Sequence, residues 1–206
     1  LARAGLLKRE PVEVDGQMIN THNAILNKLP APPRFAHEIE EILAEGLADA
    51  VDSLAAIRYH VYEKKNYTLP QIVAAMERDF ADDEPMRLQL SEKPARYGNG
   101  DPETDAIAGQ ITEHFFRHLL TIPTYRGGWY SGGCSPFNRA ANYGRGVGAG
   151  ANGRHCGDPL IADSIGAVPG RDSEGPTALL DSVLHLPHHL AGSGFILNIK
   201  FDKAIF

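Results

Sequence analysis

The stretch Tyr125-Arg-Gly-Gly-Trp-Tyr-Ser-Gly-Gly-Cys134 opens a glycine-dense segment that continues through Gly144-Arg-Gly-Val-Gly-Ala-Gly150 to Asn152-Gly-Arg-His-Cys-Gly-Asp-Pro-Leu-Ile-Ala-Asp163. Glycine-rich linkers are usually flexible, but these glycines are interleaved with aromatic side chains and arginines, which pack or bind. Glycine also permits positive φ and a close approach of the main chain to other groups. The segment therefore predicts an ordered loop at or near a functional site.

The sequence before this segment is mainly helical in pattern. From Phe35 onward, apolar residues recur every three or four positions, which is the spacing of an amphipathic helix. Helices are predicted over residues 36–64 (one long helix or two consecutive ones), 69–80 with Thr68 as N-cap, 84–92 and 103–120. Pro94–Pro102 has the composition of a turn, and the proline-rich residues 1–34 predict coil with at most one short helical turn.

Two short apolar runs follow the glycine-dense segment. Gly194–Phe201 has the branched and aromatic composition of a buried strand. Ala178–Leu184 fits either a strand or a helix of about two turns capped by Thr177. The chain is therefore predicted to be α/β, with helices first and then a glycine-rich loop and strands.

Length and charge restrict the class of protein. The 206 residues, 43% of them hydrophobic, can bury the core of a single domain. A net charge of -6 without a basic run argues against nucleic acid or an anionic membrane as partner. No apolar run reaches the roughly 20 residues that span a bilayer, and the first residues do not form a signal peptide. Cys134 and Cys156 are expected to be free thiols, so the chain is predicted to be a soluble, cytoplasmic protein.

Three groups of residues could carry chemistry. Arg154, with Asp158 and Asp163 nearby in sequence, is interpreted as a clamp that fixes the glycine-rich loop in preference to a substrate contact. Tyr143, surrounded by glycine, is a candidate for a site. The cluster His185, His188 and His189 is interpreted as a surface group and not as a metal site, because Pro187 interrupts the helix that would align it and no acidic partner is recognisable nearby.

Four blocks of the sequence resemble the glycyl radical enzymes, the superfamily of pyruvate formate-lyase and the glycerol and diol dehydratases. In the order of the family they are Asp52-Ser-Leu-Ala-Ala-Ile57 with Val61–Leu69, Arg96-Tyr-Gly-Asn-Gly-Asp-Pro102, Gly153-Arg-His-Cys-Gly-Asp-Pro-Leu-Ile-Ala-Asp163, and Gly175-Pro-Thr-Ala178 with Leu197-Asn-Ile-Lys-Phe201. Each block alone is a weak signal, but their common order is fairly specific. They extend over residues 46–201.

The resemblance implies part of a ten-stranded α/β barrel whose closed interior protects radical intermediates from water and oxygen. It also implies a glycyl radical, installed by an iron–sulfur activating enzyme that uses S-adenosylmethionine. That radical abstracts hydrogen from a cysteine, whose thiyl attacks a small organic substrate. The intact family member is expected to be a homodimer, and the reaction a radical lyase, dehydratase or decarboxylase reaction or an acyl transfer of the formate acetyltransferase type.

The chain also departs from the family. Residues 1–51 contain no cysteine, and no R-V-x-G-Y pattern follows Phe201. We therefore expect an internal-to-C-terminal section of the barrel without either radical carrier, with residues 1–35 irregular and 36–206 a partial barrel domain. This section alone is expected to be inactive, with no catalytic residue and no metal. Tyr143, Arg154, Asp163 and Asn198 are its candidate cavity or loop-bracing residues. A split, non-catalytic structural subunit is the alternative.

Overall fold

The computed structural model describes residues 12–14, 17–19, 39–124, 128–134, 140–160 and 165–199. The α-helices of these ranges are α1 (Leu47–Ile57), α2 (Leu69–Glu77), α3 (Glu84–Glu92), α4 (Pro102–Leu119), α5 (Ala140–Gly144) and α6 (Pro176–Leu184). The strands are β1 (Val12–Val14), β2 (Gln17–Ile19), β3 (Ile39–Leu43), β4 (Trp129–Cys134) and β5 (Gly194–Phe195). A π-helical segment, Arg58–Glu63, prolongs α1, and a 3-10 turn covers His188–Leu190.

Strand β4 lies at the centre of a parallel sheet, between β3 and β5. Parallel neighbours require crossover connections, and the helices α1 to α4 all lie in the connection from β3 to β4. The α/β class predicted from the sequence is confirmed. The described ranges contain three strands of this sheet, and the ten-stranded barrel stays a prediction.

The helix predicted over residues 36–64 is wrong at its start, because Ile39–Leu43 forms β3. The spacing of Ile39, Ile42 and Leu43 suits a helix, but these residues pair in register with Trp129 to Gly133 of β4. Gly46, with φ of 79°, separates the strand from α1. A right-handed helix does not contain that conformation, so α1 begins only at Leu47.

The glycines of β4 explain why the sequence pattern did not reveal this strand. At Gly132 a Cβ atom would overlap the ring of Phe116, and at Gly133 it would lie 2.8 Å from the carbonyl oxygen of Gly194. The strand thus uses glycine to bring α4 and β5 against the sheet. Glycine content alone predicts a loop, but in β4 the close packing against α4 and β5 requires glycine.

The other helices agree closely with the sequence. The helices α2, α3 and α4 lie within one to three residues of their predicted bounds, and Thr68 caps α2 in a reciprocal capping box with Gln71. Ala178–Leu184 is helical, but α6 begins at Pro176 after Gly175, so Thr177 is not its cap. Residues 12–14 and 17–19 pair as antiparallel strands where the sequence predicted coil.

The buried apolar residues form two clusters. The larger one packs α1, α4 and α6 against the sheet and includes Val51, Phe116 and Cys134. The smaller one packs α2 and α3 against the end of α1 and the middle of the glycine-rich loop, and includes Ile72, Leu90 and Ala151. Among the helices of the described ranges, none combines the length and the apolarity that crossing a membrane requires.

Candidate functional site

Arg154 holds together the loop formed by residues 144–160. Its side chain is 9% exposed, and its guanidinium donates to the backbone carbonyl oxygens of Asp158 (2.7 Å), Val147 (3.3 Å) and Gly148. The prediction that Arg154 braces the loop is consistent with this geometry, but the expected pairing with carboxylates is wrong for Asp158. The Asp158 carboxylate instead accepts from the backbone N–H of His155 at 3.2 Å. The carbonyl groups of an irregular loop have no donors from a helix or a sheet, and the N–H groups of the guanidinium donate hydrogen bonds to them instead.

Asn152 fastens the loop to helix α1. Its Nδ2 donates to Oδ1 of Asp49 at 2.8 Å, and its Oδ1 accepts from the backbone N–H of Arg154 at 3.1 Å. The adjacent Gly153 has φ of 81°, and a Cβ there would lie 2.8 Å from the carbonyl oxygen of Arg87. Arg87 in turn donates to the carbonyl oxygen of Gly153 at 3.0 Å. The loop is therefore seated on α1 and α3 through polar contacts at residues 152 and 153.

A buried carboxylate, Asp52, lies beneath this loop. It is 3% exposed and accepts from the backbone N–H of Tyr97 at 2.9 Å and from Nη1 of Arg171 at 3.4 Å. Burial raises the pKa of Asp52 to about 6, against the opposing effects of the Tyr97 N–H and the Arg171 charge; the nearby Asp49 adds to the increase. Asp52 is thus an ion-pair partner whose charge is only moderately stabilised.

Arg171 connects the loop, α1 and α3. Besides Asp52, its guanidinium donates to the carbonyl oxygen of Asn152 at 3.0 Å and to Oγ of Ser91 at 3.1 Å. Neither Arg171 nor Asp52 was singled out from the sequence as a site residue. Asp52 is the first residue of the first family-like block, and only its place in that block could have indicated its importance from the sequence. Arg171 lies in a polar turn without periodicity, so nothing in the pattern distinguished it.

The turn Arg96–Pro102 completes the arrangement. Tyr97 is fully buried and its hydroxyl donates to the carbonyl oxygen of Ile165 at 3.0 Å. Asn99 donates to the carbonyl oxygen of Arg171 at 2.9 Å, and the N–H of Gly100 donates to Oγ of Ser182 at 3.0 Å. These hydrogen bonds bring parts of all four family-like blocks next to one another: Asp52, the turn 96–102, the loop at residue 153, and helix α6, which begins in the last block. We call Asp49, Asp52, Tyr97, Asn152, Arg154 and Arg171 the polar network.

Three of the four predicted site residues lie in the described ranges, each on a different segment. Arg154 belongs to the polar network, whereas Tyr143 is 43% exposed on α5 and Asn198 is exposed after β5. Asp163 lies outside the described residues, so its bracing role stays a prediction. That Tyr143 and Asn198 face a cavity stays a prediction.

Both cysteines are free thiols, as predicted, and they lie in different surroundings. Cys134 is fully buried at the end of β4, and burial raises its pKa to about 12. Its thiol is therefore protonated at neutral pH and cannot act as a thiolate nucleophile. Cys156 is exposed, and its backbone N–H and the His155 ring both bind Oδ1 of Asp79. Neither cysteine belongs to the polar network, whose side chains hold the loop and the turn in place.

Comparisons with known proteins point to the same family as the four sequence blocks. Residues 35–144 match the model of the family described as "Pyruvate formate lyase-like". Trans-4-hydroxy-L-proline dehydratase of Clostridioides difficile is 31% identical over 160 residues, which cover 78% of this chain and 20% of that protein. The solved structure for 1,2-propanediol dehydration in Roseburia inulinivorans has a TM-score of 0.74 at 30% identity and covers 79% of this chain and 21% of that one.

A glycyl radical enzyme from Archaeoglobus fulgidus matches with a TM-score of 0.65 at 29% identity, over 73% of this chain and 20% of that chain. The chain spans about a fifth of the length of the relatives it matches. Its α/β fold is similar to the corresponding part of these enzymes. The family-model match, the dehydratase relative and the structural matches agree that the chain belongs to the pyruvate formate lyase-like family of glycyl radical enzymes.

Proposed function

We propose that the chain forms part of the catalytic barrel of an anaerobic glycyl radical enzyme of the dehydratase type, acting on a small hydroxylated organic substrate. The observation that carries this proposal is the match, over more than three quarters of the chain, to a hydroxyproline dehydratase and to a structure for propanediol dehydration. Acyl transfer of the formate acetyltransferase type and decarboxylation are other reactions of the superfamily. The dehydratase reaction is preferred because both of these matches carry dehydration in their names.

The contribution of this chain would be to close and support the wall of the reaction chamber. A glycyl radical, once installed, supplies hydrogen-atom abstraction through a cysteine thiyl, and such intermediates require exclusion of water and oxygen. The Arg154 and Asn152 contacts hold the glycine-rich loop against α1, and the Asp52–Arg171 pair supports it from beneath. We propose that Tyr143, Asp163 and Asn198 face the chamber from segments next to this loop.

We propose that the two radical carriers lie outside these 206 residues. Cys134 is an unsuitable thiyl site because it is fully buried in the core between β4 and its neighbours. Cys156 lies on an exposed turn that binds Asp79. Installation of the radical would require an activating enzyme with an iron–sulfur cluster and S-adenosylmethionine. The assembled enzyme would be a homodimer in the anaerobic cytoplasm.

The surface of the chain supports its placement inside a larger barrel. Large apolar side chains are exposed on several elements, including Leu54 on α1, Val73 on α2, Trp129 on β4 and Leu184, which is 73% exposed on α6. Exposed apolar surface of this kind favours association. Expressed alone, the 206 residues are expected to be inactive and poorly soluble; a soluble monomer with cooperative unfolding would contradict this placement.

The test is anaerobic activation of the intact protein that contains this chain. The protein would be incubated with a radical activating enzyme, S-adenosylmethionine and a reductant, and then supplied separately with trans-4-hydroxy-L-proline, 1,2-propanediol, glycerol and pyruvate. Electron paramagnetic resonance would follow the glycyl radical and mass spectrometry the products. We expect a glycyl signal and loss of water from at least one hydroxylated substrate.

Two outcomes would overturn the proposal. Formate exchange with pyruvate without dehydration of any diol or hydroxyproline would assign the acyl-transfer reaction. Absence of a glycyl signal, under conditions that activate a known dehydratase in parallel, would assign the non-catalytic structural role. A matched variant, Arg154→Met, should retain the glycyl signal but lose it faster on brief exposure to air, because the loop is released.

A further inference from the structure

Asp105 is a buried carboxylate whose two oxygens have no hydrogen-bond partner in the described part of the chain. It lies in the first turn of α4 and is 1% exposed. A buried polar group without a partner is costly, and an isolated charge is more so. The hydroxyl of Ser182 is close enough to lower the pKa of Asp105, but it lies outside hydrogen-bonding geometry. The contacts of the described residues therefore do not account for this buried carboxylate.

Two further metal-binding groups face Asp105 from helix α6. Asp181 and His185 are one helical turn apart. One ligand atom from each of Asp105, Asp181 and His185 lies within 4.8 Å of the other two. Nδ1 of His185 is 4.0 Å from Oδ2 of Asp105 and 2.8 Å from the carbonyl oxygen of Asp181. Asp181 and His185 are exposed, so an ion can reach the group from solvent and these two side chains can adjust to it.

The protein alone offers two other accounts of this arrangement. A protonated Asp105 fits the increase in its pKa, which burial causes and which Asp101 and Asp181 enhance, but its carbonyl oxygen would still have no donor in the described part of the chain. An ion pair with protonated His185 would leave 4.0 Å between the nearest charged atoms, which is too long for a hydrogen bond. The position of Asp105 at the start of α4 favours its charge but satisfies neither oxygen.

We propose that Asp105, Asp181 and His185 bind a divalent transition-metal cation of the zinc class, which joins the first turn of α4 to the end of α6. Two carboxylates and one imidazole are a donor set that Zn²⁺ accepts, and their charges balance a divalent ion. If the hydrogen bond between Nδ1 of His185 and the Asp181 carbonyl is kept, it orients the ring and Nε2 is the ligand; Nδ1 binds the ion only where the ion replaces that hydrogen bond. Solvent would complete the coordination on the exposed side. This role is structural and independent of the radical reaction.

Calorimetric titration with ZnCl₂ of the intact protein that contains this chain tests the proposal. His114 and His118 stack one turn apart on the exposed face of α4, with ring centroids 6.1 Å apart, and could bind zinc themselves. The measurements are therefore made in a His114→Gln/His118→Gln background. We expect one zinc ion per chain and a rise in melting temperature with zinc. Asp105→Asn and His185→Gln should each weaken binding by more than about tenfold, since loss of even an outer partner costs 10- to 100-fold.

The control variant is His189→Gln, which removes an exposed histidine of the same sequence cluster and should leave zinc affinity unchanged. Unaltered affinity in both Asp105→Asn and His185→Gln, or the absence of saturable zinc binding in the background chain, would overturn the proposal. Circular dichroism establishes that each variant is folded. If Asp105→Asn does not fold, His185→Gln and Asp181→Asn decide the question.

Discussion

Two glycine-rich regions of this chain both bring the main chain close to other groups, and one of them is in addition anchored by polar side chains. In β4, Gly132 and Gly133 are required because α4 and β5 pack where side chains would otherwise be. In the loop of residues 144–160, structure comes from the Arg154 guanidinium and the Asn152 side chain, which bind the backbone and α1. A Cβ added at Gly148 of this loop would meet nothing within 4 Å. Close packing at glycine thus occurs in both regions, at Gly132 in β4 and at Gly144 and Gly153 in the loop, whereas Gly148 is open. The loop adds anchoring by polar side chains.

The largest effect is expected from Gly132→Ala in β4. The added methyl group would overlap the Phe116 ring, which is itself buried, so the sheet and α4 must separate. We expect a loss of about 3 kcal/mol in the free energy of unfolding, at the upper end of ordinary overpacking. Urea denaturation of the intact protein that contains this chain, compared with its variants, measures it. The double variant Gly132→Ala/Phe116→Leu should recover part of the loss; no recovery would show that another contact makes this glycine necessary.

Asp52 should make the support beneath the loop sensitive to pH, unlike the apolar packing around β4. Its pKa in the folded state, about 6, is raised above the ordinary value of 3.8. The folded state thus holds this proton more tightly, and its contribution to stability is present below pH 3.8 and lost as pH rises through about 6. The change amounts to about 2–3 kcal/mol.

The variant Asp52→Asn isolates this contribution. The free energy of unfolding of Asp52→Asn relative to the parent chain should increase between pH 4 and pH 7, on the order of 2 kcal/mol, because the variant does not titrate. Denaturation at a series of pH values measures it. Parallel pH profiles of the two proteins would contradict the expectation.

Arg154→Met should release the loop without disturbing β4. The variant keeps much of the apolar stem but leaves the carbonyl groups of Val147, Gly148 and Asp158 without the guanidinium. We expect a loss of about 2 kcal/mol, with increased amide exchange confined to residues 144–160. Arg154→Lys is the matched control and should be intermediate, because one ammonium cannot reach all three carbonyls. Increased exchange in β4 as well would disprove the separation of the two regions.

The smallest effect is expected at Gly148→Ala. This position has open space and no positive φ, so the methyl group is accommodated. The free energy of unfolding should change by less than about 0.5 kcal/mol, as at ordinary surface positions. Thermal denaturation beside Gly132→Ala gives the direct contrast between the two regions. A loss similar to that of Gly132→Ala would mean that position 148 also depends on close packing.

The sequence predicted correctly those elements that are stabilised by contacts between residues close in sequence, and it failed where the stabilising contacts join distant residues. Helices α2, α3 and α4 were predictable because their caps and apolar stripes lie within each helix. Strand β3 was mistaken for helix because its pairing with β4 joins residues far apart in sequence. Arg154 was singled out because it lies in a tight glycine turn with Asp158 and Asp163 nearby in sequence. Arg171 was missed because its partners Asp52 and Asn152 are distant in the chain.

The sequence by itself determined the α/β class, most helices and, through four ordered blocks, the glycyl radical enzyme family. These depend on short-range periodicity and on residue identity, both of which are properties of the chain. Only the tertiary structure decided that the glycines of β4 form a strand, that Arg154 binds carbonyls and not the Asp158 carboxylate, and that Asp105 faces Asp181 and His185. The physical reason is that close approach, burial and hydrogen-bond partners arise between segments brought together by folding, and no local pattern records them.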